Sequence, residues 1–329
     1  MRQLPTVTLC CVDASDRFDW AVRALQHSMA QQRFGDAFIV SSPDRLAAAP
    51  AMPGLRGIEA PPIGSVAGYS AFVLRDLVRH IKTEHALVVQ WDGYVINAHA
   101  WTDEFLAFDY IGAPWRHVDG PHRVGNGGFS LRSRRLMAAA AEMAGECVHP
   151  EDEVICRRLR PALEARGMRF APEALAWRFS VEHGDMSHGP YGFHGPARFP
   201  RVLGAEGTTE YLRTIREPAR LLIGGGRQIL RDVAAEIDAM LTCDPSFAVC
   251  RRAMADVLRR GVTDIVVDKV APNEIERMAR ALIRAGFPVL AEALLQRARP
   301  MLPWLTRSTL RLRRWVRVCQ RKQAGLPLD

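Results

Sequence analysis

The chain has 329 residues, more than one hydrophobic core usually supports, so a large domain with a smaller second one is expected. Hydrophobic residues make up 48% and charged residues 24%, which is typical of a globular protein, and no apolar stretch approaches the ~18 residues of a membrane span. The formal net charge is +8, and seven Arg and Lys residues between Leu305 and Lys322, with no acid among them, contribute +7 of it. This distribution argues against nucleic acid as a partner, because nucleic-acid enzymes spread basic residues over a working face.

The N-terminus and the cysteines indicate a cytoplasmic protein. The first 13 residues run directly into a strand-like segment and lack the apolar region and cleavage site of a secretory signal. The cysteines are odd in number and contain no Cys-x-x-Cys pair, so we predict reduced, buried thiols and no zinc site. They are Cys10, Cys11, Cys147, Cys156, Cys243, Cys250 and Cys319.

Strand-like and helix-like segments alternate in the first half, which predicts an α/β domain with a mainly parallel sheet. The segment Pro43 to Pro62 is crowded with Pro, Ala and Gly, and we predict an irregular crossover there. The other elements predicted up to the first catalytic candidate are strands at Thr6–Val12, Ala37–Val40 and Ala86–Trp91, the last of these buried on both faces, and helices at Trp20–Met29 and Tyr69–Ile81.

Further along, the pattern predicts a short helix, a short strand, a glycine-rich segment and two more helices. These are a helix at Trp101–Phe108, a strand within Asp109–Trp115, the glycine-rich start of Val124–Ser133 followed by an Ala-rich helix, and a helix that starts within His149–Glu153, is kinked by Pro161 and ends at Gly167.

Beyond about Gly204 helical periodicity dominates, apart from a strand-like run at Val262–Val267. We therefore predict three parts: an α/β domain over 1–204, a helical bundle over 205–304 and a basic amphipathic tail over 305–329. One pair of helices resembles a tetratricopeptide hairpin, but a solenoid needs more copies than the sequence contains.

Asp92 is the first candidate for chemistry, because ligands of open α/β sheets bind beyond the carboxyl ends of the strands. A carboxylate there can hold a divalent metal, and a metal can neutralise the diphosphate that leaves when a sugar is transferred. The alternative is that Asp92 only begins a turn with Gly93.

The acidic run Glu151-Asp152-Glu153 is the second candidate. Three clustered carboxylates raise one another's pKa, which suits a general base near neutral pH. The alternative is a well-capped helix start, since Pro150 followed by acids is favourable at the positive end of the helix dipole.

His194 lies in a loop rich in Gly and aromatic residues, and a neutral imidazole is an accepted ligand for manganese-type metals. His183 and His188 are nearby alternatives. The cluster Gly125-Asn126-Gly127-Gly128 permits close backbone approach to a ligand, although it matches neither a dinucleotide nor a P-loop fingerprint.

The motifs HALVVQWDGYVIN, FDYIGAPW, VGNGGFSLRS, HPEDEVIC and YGFHG occur in an order that resembles a poorly characterised bacterial family of glycosyltransferase-like proteins. The resemblance covers about Val7 to His194. Such proteins look like distant relatives of β-1,4-galactosyltransferases, which have the GT-A fold, bind UDP-sugars with manganese and invert the anomeric centre.

The resemblance implies roles for individual residues. Asp92 matches the metal-binding Asp-x-Asp motif, although Asp92-Gly93-Tyr94 lacks its second carboxylate. His194 matches a late metal-binding histidine, and Glu151-Asp152 matches the acidic motif with the base, which we assign to Asp152.

The predicted site therefore has four parts. Asp152 and Glu151 are catalytic, Asp13, Tyr69, Gln90 and Asp92 bind the donor, Trp115, Asn126, Gly127 and Gly128 bind the acceptor, and Asp92 and His194 hold a divalent metal, Mn²⁺ or Mg²⁺.

The leading hypothesis is an inverting transferase that adds a sugar from a nucleotide-sugar, most simply a UDP-sugar, to a glycan or lipid-linked acceptor. A non-catalytic glycan-binding module with a decayed site is the alternative. Retention of Asp92, Asp152 and His194 together favours the enzyme.

In the tail, a helical projection places one set of mostly apolar residues on one face: Leu305, Leu312, Trp315, Val316 and Cys319. Leu310 and Val318 do not fit this pattern. This arrangement predicts either packing on the bundle or attachment to the anionic inner membrane surface.

Overall fold

A computed structural model describes residues 1–49, 53–60, 62–116, 118, 120, 122–146, 148–299 and 314–321. The chain divides into two compact units, Met1–Gly195 and Pro196–Asp329. The division precedes Gly204, which lies within a helix and has a φ of 66°.

The first unit is built on a six-stranded sheet in the order β3-β2-β1-β4-β6-β5. The first four of these run parallel, while β6 is antiparallel to both of its neighbours, β4 and β5. The strands are β1 Arg2–Val12, β2 Gln32–Ser41, β3 Arg56–Glu59, β4 His85–Val89, β5 Tyr110–Gly112 and β6 Ser130–Ser133. The prediction of an α/β fold with a mainly parallel sheet, followed along the chain by a helical C-terminal region, is confirmed.

Strand β4 is buried at every residue because it lies between β1 and β6, with helices covering the sheet. This explains its continuous apolar sequence. Since β1 and β4 are parallel neighbours, the residues that follow them, from Asp13 and from Gln90 onward, emerge at the same edge of the sheet. A separate two-stranded parallel sheet lies near the C-terminal end of the unit and consists of β7 Ser180–Val181 and β8 Gly192–Phe193.

The described residues of this unit also form the helices α1 Phe18–Gln31, α2 Pro43–Ala48, α3 Val66–Arg75, α4 Arg134–Met143, α5 Glu151–Glu153, α6 Arg160–Ala165 and α7 Glu173–Phe179. A π-helical turn at Val154–Arg158 joins α5 to α6, and 3₁₀ turns cover Leu77–His80, Ala98–Ala100 and Asp103–Ala107. Serine side chains cap two helices: Ser65 Oγ accepts from the Gly68 amide and Ser133 Oγ from the Leu136 amide, at 3.0 and 3.1 Å.

Three segments of the first unit differ from the prediction. The supposed crossover Pro43–Pro62 contains both α2 and β3, and β3 exists because it pairs with the edge of β2. The glycine-rich segment continues into β6 before the Ala-rich helix starts, since it fills the gap between β4 and β5. The helix predicted at Trp101–Phe108 is a 3₁₀ turn.

The second unit is helical in its described part. Its helices are α8 Phe199–Arg213, α9 Gly226–Leu241, α10 Ala248–Asp264, α11 Pro272–Arg284 and α12 Pro288–Arg297, with 3₁₀ turns at Pro196–Arg198, Pro218–Leu222, Pro245–Phe247 and Val267–Lys269. The prediction of a strand-like run at Val262–Val267 is wrong. The start of this segment belongs to α10, where Val262 is buried.

Residues 314–321 of the predicted tail are helical, whereas Leu305, Leu310 and Leu312 lie outside the described residues. Val316 is buried, as projected, but Trp315 is 36% exposed. No helix of the described part is long and apolar enough to cross a membrane. The six described cysteines are free. Four of them are buried and Cys319 is half-buried, but Cys243 is exposed, against the prediction; Cys147 lies outside the described residues.

Candidate functional site

Asp92 lies in a tight turn at the end of β4. The turn is closed by reciprocal backbone hydrogen bonds between Gln90 and Gly93, of 3.0 and 3.1 Å. Asp92 is 6% exposed, and its Oδ1 atom is buried without a hydrogen-bond partner among the described residues. Burial raises the pKa of Asp92, partly offset by the neighbouring charge of His194. A buried carboxylate oxygen that accepts no hydrogen bond is costly unless a ligand provides one.

Tyr94 follows the turn and stands where an Asp-x-Asp motif would have its second carboxylate. Tyr94 is 6% exposed and stacks edge-on against His27 and Phe193. It belongs to the packing of the unit. A Cβ atom at Gly93 would lie 3.0 Å from the His194 ring and 3.1 Å from the carbonyl oxygen of Gly128, so this position also favours glycine.

His194 faces Asp92 with one ring nitrogen. Its Nε2 atom lies 3.2 Å from Gln90 Oε1 and 3.6 Å from Asp92 Oδ1. Its Nδ1 atom lies 3.0 Å from Asn126 Nδ2 and 3.4 Å from Glu182 Oε1. Burial alone would lower the pKa of His194, but the charges of Asp92 and Glu182 outweigh it and raise that pKa to about 9.

The glycine cluster packs against these side chains. A Cβ atom at Gly127 would overlap Glu151 Oε1, and one at Gly128 would overlap the His194 imidazole. Asn126 has a left-handed φ of 55° and is 4% exposed, and its Oδ1 atom is buried with no hydrogen-bond partner in the described part of the chain. The glycines therefore let Glu151 and His194 approach the backbone from its two sides.

We expect Gly128→Ala to displace the His194 ring, because the added methyl group would lie only 2.0 Å from Nε2. Overpacking of this kind costs about 1–3 kcal/mol of unfolding free energy. Thermal denaturation measures it, and Gly145→Ala is the control, since its Cβ would meet no described atom within 4 Å. Equal effects of the two substitutions would contradict the packing described here.

The two acids of the acidic run have different environments. Glu151 is 5% exposed and pairs with the fully buried Arg132 at 3.2 Å, while Ser70 Oγ donates to its other oxygen at 3.3 Å. Asp152 is half-buried and accepts from the Gly127 amide at 3.0 Å and from the Glu153 amide at 2.8 Å. Burial and the charge of Glu151 raise the pKa of Asp152.

The predicted donor-binding residues line the same sheet edge. Asp13 is 7% exposed and accepts from the amide and the hydroxyl of Ser15, each at 2.8 Å. It is close enough to Asp92 for its charge to raise the pKa of that residue. Tyr69 Oη accepts from Gln90 Nε2 at 2.7 Å, so Gln90 bridges Tyr69 and His194. Burial raises the pKa of Tyr69, which keeps its hydroxyl neutral.

Trp115 is placed differently from the other predicted residues. Its side chain is 3% exposed and packs over Gly125 in a core cluster with Tyr110 and Leu136. Its role in acceptor binding stays a prediction, now with the ring buried.

Sequence reasoning missed Glu182 and Arg132. Glu182 follows strand β7 as Asp92 follows β4, so the same strand-end rule applies to it, but a two-residue strand leaves no signal in the sequence. Arg132 lies in the strand β6 that was not predicted. Its NH2 group donates to the carbonyl oxygen of Gly127 and to Glu151, both at 3.2 Å, so it links the backbone of the glycine cluster to Glu151.

Within the described residues, no group of three or more His, Cys, Asp or Glu side chains is arranged to hold a metal ion. Asp92 and His194 are two side chains of the kinds that bind metals, and the amide oxygen of Gln90 is a third donor atom. One carboxylate, one imidazole and one amide oxygen are a donor set that Mn²⁺ or Mg²⁺ accepts, with phosphate oxygens and water completing the shell. The Asp92 Oδ1 atom, which accepts no hydrogen bond from the described residues, is consistent with that fit.

Part of the chain is similar to a family of unknown function. A family model described as "Protein of unknown function (DUF5672)" matches residues 55–194, which include Asp92, Asp152, Glu182 and His194. No curated protein matches.

Solved structures that are similar to this chain include two glycosyltransferases. One is a glycosyltransferase involved in the glycosylation of the major capsid of PBCV-1, at 10% identity and a TM-score of 0.37, covering 58% of this chain and 92% of that chain. The other is the galactosyltransferase LgtC in complex with donor and acceptor sugar analogs, at 13% identity and a TM-score of 0.34, covering 64% of this chain and 96% of that chain.

Proposed function

We propose that the chain is a glycosyltransferase that transfers a sugar from a nucleotide-sugar, most simply a UDP-sugar, to a hydroxyl of a glycan or lipid-linked acceptor. One observation carries the proposal: the backbone of Asn126–Gly128 holds Asp152 through the Gly127 amide, while Gly128 packs against His194. The candidate base, Asp152, and a candidate ligand of the cation that would bind the diphosphate, His194, therefore contact neighbouring residues of one backbone segment.

Asp152 is proposed as the general base. Both of its oxygens accept backbone amides, which fix the carboxylate while leaving further lone pairs for an acceptor hydroxyl. Its raised pKa brings its basicity closer to neutral pH. Glu151 is less suited, because Arg132 and Ser70 already occupy its oxygens. In the proposed step the hydroxyl proton passes to Asp152, the oxygen forms a bond to the anomeric carbon, and the carbon–diphosphate bond breaks. A single displacement of this kind inverts the anomeric centre.

Asp92 and His194 are proposed to hold a divalent cation, with Gln90 as an additional donor. When bound, the cation would neutralise the charge that develops on the leaving diphosphate. The protein side chains orient this region: Gln90 links the ring of His194 to Tyr69, and Asp13 borders the same edge of the sheet. Asp13, Tyr69 and Gln90 are proposed to contact the donor, and Asn126, Gly127, Gly128 and Trp115 to form the acceptor side.

A thermal-shift screen of UDP-, GDP- and dTDP-sugars, each with and without Mn²⁺, tests the proposal. A ligand at 100 times its dissociation constant raises the unfolding free energy by ~2.7 kcal/mol. We expect a rise in Tm that needs both one nucleotide-sugar and the metal. Active combinations are then incubated with acceptor glycans, and the added sugar is detected by mass spectrometry. If no donor shifts the Tm under any metal condition, the proposed activity is wrong.

We also propose that the tail attaches the protein to an anionic membrane surface, where a lipid-linked acceptor would be found. The seven basic residues of Leu305–Lys322 support this, since each can contribute ~1 kcal/mol near such a surface. In the described part of the tail, Arg314 and Arg317 are exposed.

Deletion of Leu305–Asp329 is expected to abolish cosedimentation with vesicles that contain anionic phospholipid. Raising the salt concentration should weaken binding of the intact chain, because the attraction is electrostatic. Neutral vesicles are the control. Binding that is unaffected by both salt and the deletion would contradict this mechanism.

A further inference from the structure

Glu182 and His194 occupy equivalent positions on two paired strands. Strand β7 pairs in parallel with β8, with Val181 opposite Phe193, and each strand is followed directly by one of these two residues. The backbone amide of His194 donates to the carbonyl oxygen of Val181 at 3.1 Å, which continues the ladder by one step. Their side chains therefore emerge next to each other at the carboxyl ends of the strands.

The carboxylate of Glu182 contacts one side of the His194 ring. Its Oε1 atom lies 3.4 Å from His194 Nδ1, and its Oε2 atom lies 3.6 Å from Nε2 of His183. Asn126 also donates to Glu182 and lies 3.0 Å from the same ring nitrogen. The Glu182 side chain is only 22% exposed, and these contacts restrict the directions it can take.

The other side of the ring faces different groups. Nε2 of His194 points toward Gln90 Oε1 and Asp92 Oδ1, at 3.2 and 3.6 Å. A carboxylate on Nδ1 stabilises a proton on that nitrogen, in competition with the amide nitrogen of Asn126, which lies 3.0 Å from the same atom. On the other side of the ring, Nε2 faces acceptor oxygens of Gln90 and Asp92. The two ring nitrogens thus have separate roles.

We infer that Glu182 is a positioning residue that fixes the rotation and the Nδ1 proton of His194. The inference rests on the proposed function, in which His194 Nε2 and Asp92 hold the cation. Glu182 acts through the ring: its nearest oxygen lies on the Nδ1 side, away from the Asp92 side. It also supplies a negative charge to a site where Tyr94 replaces the second acid of an Asp-x-Asp motif.

The Nδ1 proton of His194 gives a direct test that needs neither metal nor nucleotide. In ¹⁵N-histidine-labelled protein, we expect a downfield Nδ1–H signal that exchanges slowly with water and is absent in His194→Gln. Glu182→Ala should abolish it. Glu182→Gln, which keeps an acceptor oxygen but no charge, should retain a folded protein with the signal shifted upfield, because hydrogen bonds to charged acceptors are stronger.

Glu104→Gln is the matched control, since it removes the same charge from an exposed ion pair with Arg178 in the same unit. It should leave the signal unchanged. An Nδ1–H signal that is unaffected by both Glu182 substitutions would overturn the inference. If Glu182→Ala does not fold, Glu182→Gln decides alone, by the presence or absence of the shift.

Manganese affinity, measured by electron paramagnetic resonance, is the second readout. Loss of an outer partner of a metal-bound histidine typically weakens metal binding by about 10–100-fold, and we expect this range for Glu182→Ala and a smaller loss for Glu182→Gln. Wild-type protein that binds no Mn²⁺ would remove the proposed metal site, while the Nδ1–H signal would still decide whether Glu182 positions the ring. A normal Nδ1–H signal in Glu182→Ala, together with unchanged Mn²⁺ affinity, contradicts the inference about Glu182 but leaves the proposed metal site in place.

Discussion

Asp152→Asn is expected to lower turnover by about 10²–10⁴ while nucleotide-sugar affinity changes little, the pattern that follows loss of a general base. The substitution keeps one oxygen that can accept from the Gly127 amide and loses the hydrogen bond from the Glu153 amide, so thermal denaturation is used to verify that the variant stays folded. Steady-state kinetics with the donor and acceptor found in the screen measure turnover, and isothermal titration with the donor measures binding.

Glu151→Gln is the informative comparison, because the structure gives that residue a different role. Its carboxylate compensates the buried guanidinium of Arg132, and removing one partner of a buried pair costs up to about 3–5 kcal/mol. We therefore expect Glu151→Gln to lower the unfolding free energy, with a smaller effect on the turnover of the folded fraction. If Glu151→Gln instead reduces turnover more than Asp152→Asn at unchanged stability, then the base is Glu151.

Asp92→Asn is expected to abolish metal-supported binding of the nucleotide-sugar and to leave the fold intact. The substitution removes the carboxylate charge that faces His194. Because burial raises the pKa of Asp92, ionising this residue at neutral pH is less favourable in the folded than in the unfolded chain. Loss of the charge removes this cost but also removes part of the stabilisation of the His194 cation, so we expect only a small change in the stability of the metal-free protein.

Isothermal titration of the UDP-sugar with and without Mn²⁺ measures the binding, and thermal denaturation monitors the fold. Asp103→Asn is the control, since this aspartate is exposed and pairs with Arg2 at the surface. Donor affinity that is equal in Asp92→Asn and wild type, with the same dependence on Mn²⁺, would remove Asp92 from the site.

Local patterns in the sequence were sufficient for those parts of the fold that depend on short-range preferences. The apolar run before Asp92 predicts a central strand because both faces of such a strand are buried, and β4 is such a strand. The proline and acids from Pro150 onward predict a helix start, and α5 begins at Glu151. Gly167 was predicted as a helix stop, and it follows α6 with a φ of 77°.

Other elements depended on partners that are distant in the chain. Strand β3 exists where Arg56–Glu59 meets the edge of β2, and β6 where Ser130–Ser133 fits between β4 and β5. Short strands of this kind have no periodicity long enough to be recognised, because the hydrogen bonds that define them come from the neighbouring strand.

The candidate site shows the same division. Strand ends and clustered acids in the sequence indicated Asp92 and Asp152, and the resemblance supported the choice of His194 over His183 and His188. Tertiary structure alone showed that Glu151 and Asp152 have different environments, because only the fold places Arg132 beside one of two adjacent carboxylates. It also brought Glu182 to the Nδ1 side of His194, since the pairing of two-residue strands, which no local sequence preference encodes, sets which side chains meet there.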